Sequence, residues 1–494
     1  MFTLCELADA VALSIPNDCS DFIISNVQTD SRRVTADSLF FALPGVESQG
    51  WDYLLKVIER GCQFAVVPEN LIPLLKKTLP LDSIALIPSD DVINSLSVCL
   101  NTLVCHYPET LIAITGTNGK SSISYYIAQL ARYVGHKSGL IGTFGVGKLG
   151  DLKEAKQTTP DTLSLHMLLD DFYEKKLETV AFEASSHALD QRRVDGVPFK
   201  CAVFTNLSRD HLDYHETMSS YAQAKKKIFD YPDLQRAVIN LDDDYFEFMS
   251  QDIMCPIYSY SVMSKCADFY ATSIVYDSNG SYFNLYYPGG NRRIFLPLLG
   301  AFNISNALAA IASLWDFVAN KEKLIEGVFY LEGAPGRMQK LSYEGMPLVV
   351  VDYAHTPDAL SYSLAALKGH TEGRIICVFG CGGDRDKGKR PLMTAAALCD
   401  SSLVWLTSDN PRTEDPDDII ADALNGLDNS LVDERLSVVV DRHQAIQEAI
   451  STGQKGDVIL IAGKGHETYQ DVMGVKHFFD DVLEAQKVLE KNAK

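Results

Sequence analysis

Short apolar runs alternate with helix-like segments along most of this chain. Each run is five to seven residues long and ends in polar residues, glycine or a helix-like segment. Runs of this length, bounded in this way, are typical of strands buried on both faces, and the helical segments between them suggest βαβ units. The runs are Leu111–Thr115, Thr179–Ala184, Cys201–Asn206, Leu348–Asp352, Ile375–Gly380, Ser401–Leu406 and Asp457–Gly463. The pattern therefore predicts an α/β fold built on parallel sheets.

The helical pattern is strongest in "NISNALAAIASLWDFVAN", which begins at Asn303. An asparagine before an apolar, alanine-rich run predicts a helix with an N-terminal cap. The length of 494 residues suggests about three domains. Breaks in the pattern near His106–Pro108 and Gly336–Lys340 divide the chain into residues 1–106, 107–337 and 338–494.

Composition narrows the class of protein. Apolar residues make up 46% and charged residues 22%, as in an ordinary globular protein, and the net charge is −21. This charge argues against nucleic acid or an anionic membrane as a partner. The first residues lack a basic signal region, and no window of about 18 residues is free of polar breaks, so we expect no membrane span. Eleven cysteines without a paired framework suggest reduced thiols and a cytoplasmic protein.

Candidate chemistry begins at "ITGTNGKSS", directly after the first strand of the middle domain. We call Thr115–Ser121 the glycine loop. Gly116 and Gly119 allow a tight turn whose N–H groups point at phosphate, while Lys120 supplies positive charge and Ser121 a hydroxyl for Mg²⁺. The spacing G-x-x-G-K-S is a variant of the usual P-loop. A glycine-rich turn with an exposed lysine is the alternative, but the strand–loop–helix context favours nucleotide binding.

Three further features are ambiguous on residues alone. Glu183 ends a predicted buried strand, where a carboxylate needs either Mg²⁺ or a nearby arginine, and the two are evenly balanced. His211, in "SRDHLDYH", is either a metal ligand or a hydrogen-bonded loop histidine, the commoner case. Lys225, Lys226 and Lys227, in "YAQAKKKIFD", are typical of a solvated helix face.

Taken together and in order, these stretches resemble the Mur ligase family, ATP-dependent amide-forming enzymes that build the stem peptide of peptidoglycan. The resemblance spans nearly the whole chain. It rests on "TDSRRVTADSLFFALPG", "GTNGKSS", "EASSH", "LGAFNISNALAAIA", "GRMQ", "DYAHTPDAL", "FGCGGDRDKGKRPLM", "DNPR" and "GKGHETYQ". It implies a uridine-nucleotide-binding domain over 1–106, a P-loop ATPase-like domain over 107–337 and a Rossmann-like domain over 338–494.

The resemblance assigns ATP and metal roles by motif position. The catalytic residues it implies are Lys120, Glu183, His211 and Lys225. Lys225 matches a lysine that reacts with CO₂ to form a carbamate (N6-carboxylysine), and with Glu183 and His211 it would hold one Mg²⁺, with Ser121 at a second. The implied ATP contacts are Thr115, Gly116, Thr117, Asn118, Gly119, Lys120, Ser121, Asn303, Asn306, Arg337, Asp352 and His355.

Two substrate sites follow from the same resemblance. The UDP-sugar contacts implied are Ser31, Thr158, Thr159, Ser185, Gln191 and Arg193. The contacts implied for the incoming amino acid are Arg390, Asp409, Asn410, Pro411, Arg412, Gly463 and Glu467. In "DNPR", Arg412 suits a distal carboxylate, Asp409 and Asn410 suit an ammonium, and Pro411 stiffens the loop.

This sequence departs from the family pattern at three positions. Ser121 stands where threonine is common, Gln157 where asparagine is usual, and Val482 where many relatives have arginine.

The activity implied is ATP-dependent addition of meso-2,6-diaminopimelate to UDP-N-acetylmuramoyl-L-alanyl-D-glutamate through an acyl phosphate. We expect small-molecule partners only, and a monomer in a bacterial cytoplasm. Within the family, L-lysine, another diamino acid or D-alanyl-D-alanine are alternative acceptors, and "DNPR" argues against them. Folate polyglutamate ligases share the core, but "TDSRRV" and the "DNPR" loop do not suit them. A nucleotide-binding regulatory protein without ligase activity is the alternative from another class.

Overall fold

The computed structural model describes residues 2–15, 21–45, 48–80, 83–104, 106–155, 157–427 and 435–492. The chain forms two compact units. The first unit comprises Met1–Thr117, His136–Ala237 and Gln251–Pro256. The second unit comprises Asn118–Gly135, Val238–Ser250 and Ile257–Lys494.

The N-terminal part of the chain, in the first unit, holds two small sheets. One is the antiparallel pair β1 (Phe2–Thr3) and β2 (Ile23–Ile24), and the other comprises β3 (Asn26–Gln28), β4 (Ser38–Phe41), β5 (Phe64–Pro68) and β6 (Ala85–Ser89). The helices of this part are α1 (Leu4–Val11), α2 (Leu54–Glu59), α3 (Ile72–Thr78) and α4 (Val92–Leu103). The order β3-β4-β5-β6 is parallel throughout. Leu39 and Phe41 enter one core cluster while Phe40 enters another, so successive residues of β4 bury both faces of the sheet.

The middle of the chain contributes most of the remaining strands. They are β7 (Thr110–Thr115), β8 (Ser138–Gly142), β9 (Gly145–Lys148), β10 (Asp151–Lys153), β11 (Thr179–Glu183), β12 (Cys201–Phe204), β13 (Arg236–Asn240), β14 (Ile257–Ser261), β15 (Phe269–Asp277), β16 (Gly280–Tyr287) and β17 (Gly290–Leu296). The helices are α5 (Lys120–Val134), α6 (Thr162–Glu174), α7 (Ser186–Asp190), α8 (Leu212–His215), α9 (Met218–Lys226), α10 (Phe246–Ser250), α11 (Ala301–Leu314) and α12 (Lys321–Gly327).

In the first unit, six of these strands follow the order β10-β9-β8-β11-β7-β12. Strands β8, β11, β7 and β12 are parallel to one another, whereas β9 is antiparallel to β8. Their carboxyl ends therefore meet at one edge, which is where ligands bind in open α/β sheets. In the second unit, β15, β16 and β17 form an antiparallel meander beside β14.

The helix expected from Asn303 is present as α11, but its predicted start is wrong. The helix begins at Ala301, and its cap is Gly300, which has a φ of 87° and offers no side-chain cap. Asn303 lies inside the first turn, and its side-chain amide donates to Leu299 O at 2.8 Å. A glycine can enter the helix from a left-handed conformation, so the asparagine is left available for other contacts.

The C-terminal part of the second unit holds a six-stranded sheet. Its strands and an added hairpin are β18 (Gln339–Leu341), β19 (Leu348–Asp352), β20 (Ile375–Cys381), β21 (Leu403–Ser408), β22 (Leu436–Val438), β23 (Val458–Ala462), β24 (Tyr469–Val472) and β25 (Val475–Phe478). The helices are α13 (Pro357–Lys368), α14 (Lys389–Asp400), α15 (Pro416–Leu424), α16 (Arg442–Thr452) and α17 (Asp481–Asn492).

This sheet has the order β18-β19-β23-β20-β21-β22, and only the edge strand β18 is antiparallel. Val350 faces one core cluster and Val349 and Val351 face another, because helices cover both faces. The carboxyl ends of β19, β20, β21 and β23 meet at one edge. The α/β class is confirmed, and each of the seven predicted runs contains or overlaps a strand. Within the described residues, none of the helices combines the length and apolarity needed to cross a membrane.

Candidate functional site

In the first unit, the glycine loop begins where β7 ends, at Thr115. Gly116 has a φ of 148°, and a Cβ built there would lie 1.7 Å from Thr205 Oγ1. Only glycine fits this turn against the end of β12. The hydroxyl of Thr117 lies 3.2 Å from that of Tyr221. Three predicted ATP contacts, Thr115, Gly116 and Thr117, are thus held at the carboxyl edge of the sheet.

In the second unit, the rest of the glycine loop leads into α5, which begins at Lys120. Gly119 precedes it with a φ of 86°, and a Cβ there would lie 2.9 Å from Asn306 Oδ1. Asn303 accepts a hydrogen bond from Tyr126 Oη at 2.9 Å, and Asn306 Nδ2 lies 3.3 Å from Asn303 Oδ1. The structure thus brings the predicted ATP contacts on α11 to the N-terminus of α5. The N–H groups there favour an anion, and Asn118 and Ser121 flank them.

Glu183, at the end of β11, is fully buried. Its Oε1 accepts a hydrogen bond from Thr143 N at 2.8 Å, and its Oε2 accepts one from Thr143 Oγ1 at 3.1 Å. Gly142 leaves room for this carboxylate, since a Cβ there would lie 2.2 Å from Glu183 Oε1. A buried carboxylate held by two donors of the same residue has a fixed orientation.

Lys225 is 1% exposed, and its Nζ donates to Gly116 O at 2.8 Å. The amine also lies 4.5 Å from the centre of the Tyr221 ring. The side chains of Lys226 and Lys227 are 20% and 43% exposed. The solvated-face interpretation is therefore wrong for Lys225, because α9 turns this lysine alone of the three into the sheet edge beside the glycine loop.

His211 occupies a left-handed turn with a φ of 52° at the start of α8, and its side chain is 46% exposed. Its ring centre lies 4.9 Å from that of His187 and 6.1 Å from that of Tyr221. Burial lowers the pKa values of His187 and His215, which favours their neutral forms. Sequence reasoning missed these two histidines, although His187 stands inside the quoted "EASSH". Among the described residues, no three histidine, cysteine, aspartate or glutamate side chains are grouped so as to hold a metal ion.

Three predicted UDP-sugar contacts lie beside Glu183. Thr159 Oγ1 donates to Glu183 O at 2.8 Å and accepts from Ser185 N at 3.1 Å. Thr158 Oγ1 lies 3.4 Å from Thr143 Oγ1, the hydroxyl that donates to Glu183. The hydroxyls of Thr158, Thr159 and Ser185 thus form one group at the end of β11.

Of the remaining predicted UDP-sugar contacts, Gln191 and Arg193 contact each other, and Ser31 lies in a separate turn. Arg193 Nε donates to Gln191 Oε1 at 2.8 Å, and Arg193 Nη1 donates to Gln157 Oε1 at 3.0 Å. The glutamine that departs from the family pattern is therefore a direct partner of Arg193. Ser31 lies in the turn between Asp30 and Arg32, whose side chains form an ion pair at 2.9 Å.

In the second unit, a further group of predicted ATP contacts lies at Arg337 and the end of β19. The Arg337 guanidinium lies 4.6 Å from the ring centre of Tyr353. Asp352 accepts hydrogen bonds from Met338 N at 2.9 Å and from a serine hydroxyl of α13 at 2.8 Å. His355 Nδ1 lies 2.8 Å from Tyr353 O. Asp352 therefore anchors the segment that carries Arg337, and the structure brings the predicted Arg337, Asp352 and His355 together.

The "DNPR" segment follows β21 at the carboxyl edge of the six-stranded sheet. Asn410 Nδ2 donates to Glu467 Oε2 at 2.8 Å. Gly463 has a φ of 119°, and a Cβ there would lie 2.4 Å from Asp409 Oδ2. Asp409, Asn410, Gly463 and Glu467, four of the seven predicted acceptor contacts, therefore adjoin one another.

Arg412 is held by its backbone against the hairpin β24–β25. Arg412 N donates to Asp471 O at 2.9 Å, and Met473 N donates to Arg412 O at 2.6 Å. Its φ is 51°, a left-handed conformation that directs the side chain away from the strand path. The guanidinium Nη1 donates to Gly383 O at 2.6 Å. Pro411, preceding it, closes the tight turn.

Sequence reasoning missed Lys464, the second residue of "GKGHE". Its side chain is fully buried. Its Nζ donates to Asn410 Oδ1 at 3.0 Å and lies 3.8 Å from Asp409 Oδ1 and 3.6 Å from Glu467 Oε2. The two flanking glycines in the motif were the available signal, since both have positive φ and turn the lysine inward.

Arg390, predicted as an acceptor contact, is fully buried and bound to carboxylates of its own unit. It donates to Glu414 Oε1 at 2.8 Å, to Glu414 Oε2 at 3.0 Å and to Asp422 Oδ2 at 2.7 Å. Arg390 lowers the pKa of Glu414 to about 2. These contacts hold the turn that follows "DNPR", so Arg390 supports that segment from beneath.

Known proteins resemble this chain along most of its length. The Mur ligase middle domain family matches residues 114–314, and the Mur ligase, glutamate ligase domain family matches residues 336–465. The chain is 40% identical over 479 residues to UDP-N-acetylmuramoyl-L-alanyl-D-glutamate--2,6-diaminopimelate ligase of Ectopseudomonas mendocina, covering 96% of this chain and 97% of that protein. The Pseudomonas putida protein of the same name is 40% identical over 483 residues, with 95% of each covered. A solved structure of a protein of that name, 37% identical, superposes with a TM-score of 0.77 over 99% of both chains.

Proposed function

This chain belongs to the Mur ligase family, and on that premise we propose that it joins meso-2,6-diaminopimelate to UDP-N-acetylmuramoyl-L-alanyl-D-glutamate, converting ATP to ADP and phosphate. The relatives named for this reaction match along almost the full length of the chain. The observation that carries the acceptor assignment is the cluster of Asp409, Asn410, Gly463 and Glu467 beside Arg412 at the carboxyl edge of one sheet.

The reaction runs in two steps. An oxygen of the D-glutamyl carboxylate attacks the γ-phosphorus of ATP, the bond to the bridging oxygen breaks, and ADP leaves. The resulting acyl phosphate is attacked at its acyl carbon by the neutral amine of the acceptor. Phosphate leaves, the nitrogen loses a proton, and an amide remains. The chain must position two anions and keep water from the acyl phosphate.

For ATP, we assign the phosphates to the glycine loop. The N–H groups at the start of α5 and the Lys120 ammonium supply positive charge, and Ser121 adds a hydroxyl. Asn303 and Asn306 on α11, together with Arg337, Asp352 and His355, complete the proposed nucleotide contacts. The positive φ values of Gly116 and Gly119 support this assignment, because close approach of backbone to phosphate needs them.

We further propose that Lys225 carries a carbamate. The ammonium would lose a proton, and the neutral amine would then attack CO₂ and lose a second proton, so that a buried cation becomes an anion. The carbamate N–H could keep the hydrogen bond to Gly116 O that the amine makes. With Glu183 and His211, this group would hold Mg²⁺, and Ser121 would hold a second. Carboxylate and carbamate oxygens suit this hard cation, which would neutralise phosphate charge.

The nucleotide sugar would meet Ser31 and the hydroxyl group formed by Thr158, Thr159 and Ser185. Gln191 and Arg193 would contact its anionic groups, since an arginine fork matches carboxylate and phosphate oxygens. The adjacency of Thr159 and Glu183 supports a D-glutamyl carboxylate near the end of β11.

For the acceptor, Arg412 would bind the distal carboxylate of diaminopimelate. Asp409 and Glu467 would accept from its distal ammonium, with Asn410 orienting Glu467 and Gly463 leaving the space they need. L-lysine lacks that carboxylate and would leave Arg412 unpaired, a difference worth roughly 10⁴-fold in comparable sites. Arg390 would act through Glu414 and the turn after "DNPR".

We retain the division into domains over 1–106, 107–337 and 338–494, which the matched family regions support. We also propose that the chain acts as a monomer on small molecules in the bacterial cytoplasm, where ATP and UDP-linked precursors are available. Its net charge of −21 gives no reason to invoke nucleic acid.

The deciding experiment is phosphate release with ATP, Mg²⁺ and UDP-N-acetylmuramoyl-L-alanyl-D-glutamate. Parallel reactions contain meso-diaminopimelate, L-lysine or no amine, and products are identified by mass. We expect turnover with diaminopimelate and little with lysine. A preference for lysine would keep the ligase and overturn the acceptor assignment. ATP-dependent turnover with neither would leave the nucleotide-binding regulatory protein as the better reading.

A further inference from the structure

Lys464 stands among the side chains assigned to the acceptor's ammonium. It is a cation with a fully buried side chain, and Asp409, Asn410 and Glu467 are its neighbours at 3.0 to 3.8 Å. We infer that Lys464 sets the charge of this pocket, and so makes the enzyme select an acceptor whose distal end carries both an ammonium and a carboxylate. The inference rests on the proposed function and deepens it.

The position of Lys464 is fixed by its backbone. Gly463 and Gly465 both have positive φ values, of 119° and 53°. A Cβ at Gly465 would lie 2.7 Å from Gly336 O, and one at Gly463 would lie 2.4 Å from Asp409 Oδ2. The turn is therefore tightly packed on both sides of the lysine. Its amine cannot swing to solvent without unpacking the segment.

Lys464 also helps to fix the orientation of the Asn410 side-chain amide. Asn410 Oδ1 accepts from Lys464 Nζ and from Asp471 N, both at 3.0 Å. This fixes the amide so that its Nδ2 faces Glu467. Burial lowers the pKa of Lys464, while Asp409 and Glu467 act in the opposite direction. The two carboxylates lie 3.8 and 3.6 Å from Nζ and favour the charged amine.

Counting formal charges gives the functional consequence. Asp409 and Glu467 contribute two negative charges, and Lys464 and Arg412 contribute two positive ones. The neighbouring Arg442–Asp481 pair is internally neutral, with both side chains fully buried. Asp471, whose Oδ1 is buried and whose N–H donates to Asn410 Oδ1, adds a further negative charge beside them. Lys464 therefore limits the negative charge of the pocket in which the carboxylate of diaminopimelate's zwitterionic distal end must bind.

Without Lys464 the same pocket would be more negative by one charge. That charge complements a distal ammonium alone, as in L-lysine. At the separations seen here, an unbalanced charge in a partly buried site changes relative binding by at least about tenfold. Lys464 would accordingly act as a specificity-determining positioning residue, through the pocket it balances and orients.

The test is acceptor selectivity in Lys464→Met. We expect the ratio of kcat/KM for diaminopimelate to that for L-lysine to fall by about tenfold or more. The KM for diaminopimelate should rise, while the KM values for ATP and for the nucleotide sugar stay within about twofold. Lys368→Met is the matched control, because Lys368 pairs with Asp400 on the surface of the same sheet domain and should leave the ratio unchanged.

The same substitution is also tested in Glu467→Gln protein, in case the single variant Lys464→Met does not fold. Glu467→Gln removes one negative charge, so Glu467→Gln with Lys464→Met restores the net charge of the wild-type pocket. The lysine substitution should lower the selectivity ratio in this background as well. An unchanged ratio in folded Lys464→Met protein, or between the Glu467→Gln single and double variants, would overturn the inference. Wild-type protein inactive with both acceptors would instead overturn the proposed function.

Discussion

The amine of Lys225 and the carbonyl oxygen of Gly116 are joined by a hydrogen bond of 2.8 Å inside the protein. The bond ties α9 to the glycine loop, although the two residues are 109 positions apart in the chain. A lysine that is 1% exposed is costly to bury unless its charge is paired or changed. This relationship links the loop proposed to bind ATP to the lysine proposed to bind CO₂.

Replacing Lys225 with alanine should lower ligation by about a hundredfold or more, because a proposed metal-binding anion is lost. Added short carboxylates should restore part of the activity by occupying the vacated space. Intact wild-type protein should be heavier by one CO₂ under conditions that preserve carbamates. Lys226→Ala is the control, since its side chain is 20% exposed on the same helix. Full activity in Lys225→Ala would place the carbamate elsewhere.

Gly116→Ala should lower both stability and ATP turnover. The new Cβ would meet Thr205 Oγ1 at 1.7 Å in a backbone conformation that alanine rarely adopts. The combined clash and strain should cost about 2 kcal/mol or more. Gly135→Ala tests strain alone, because its φ is 113° and no atom lies within 4 Å of its Cβ position. Equal effects of the two changes on the KM for ATP would argue against a special role for the turn at Gly116.

Much of this site could be anticipated from sequence because strands were recognisable. Runs such as Leu348–Asp352 are apolar on both faces, and their carboxyl ends must meet in a parallel sheet. That logic places Glu183 and the "DNPR" segment at sheet edges. The motifs could then be assigned by resemblance.

Other features depend on packing that local patterns do not encode. Lys225, Lys226 and Lys227 are chemically identical, and only the orientation of α9 decides that Lys225 is the buried one. Lys464, between two glycines, has the pattern of an exposed loop lysine, yet the turn folds it beneath Asn410. The predicted cap at Asn303 is wrong, because the helix begins at Ala301 with Gly300 as its cap.

Low pH should weaken the ion pair between Arg390 and Glu414, which holds the turn after "DNPR". Arg390 holds the pKa of Glu414 at about 2, below its usual value of 4.5. A lowered carboxyl pKa adds stability above the unfolded value, and this contribution is lost as pH falls from about 4.5 toward 2. Urea midpoints at about pH 6 and about pH 3.5 should therefore differ more for wild type than for Arg390→Met. An identical pH dependence in the two proteins would mean that this ion pair is not a source of acid sensitivity.

Arg442→Met should destabilise the second unit by about 3–5 kcal/mol, because Asp481 would keep a buried charge without its partner. The two side chains are both fully buried, and Arg442 also donates to Ala462 O at 3.0 Å. The urea midpoint and slope report the loss. Arg292→Met removes a surface pair with Glu322 and should cost about 0–1 kcal/mol. Adding Asp481→Asn to Arg442→Met should recover part of the stability, and no recovery would point to packing as the cause.

Arg412→Met should separate acceptor recognition from the chemistry of ATP. The guanidinium is proposed to pair with the distal carboxylate, so kcat/KM for diaminopimelate should fall by about a hundredfold or more. L-lysine has no such carboxylate, and its weaker turnover should change little. The contacts of Arg412 with Asp471 and Met473 are made by its backbone and not by its side chain, so the hairpin β24–β25 should remain in place. Arg293→Met, on the exposed strand β17, controls for the loss of one positive charge. Parallel losses with both acceptors would show that Arg412 serves the fold of the loop, and the acceptor would then have to be recognised by other residues.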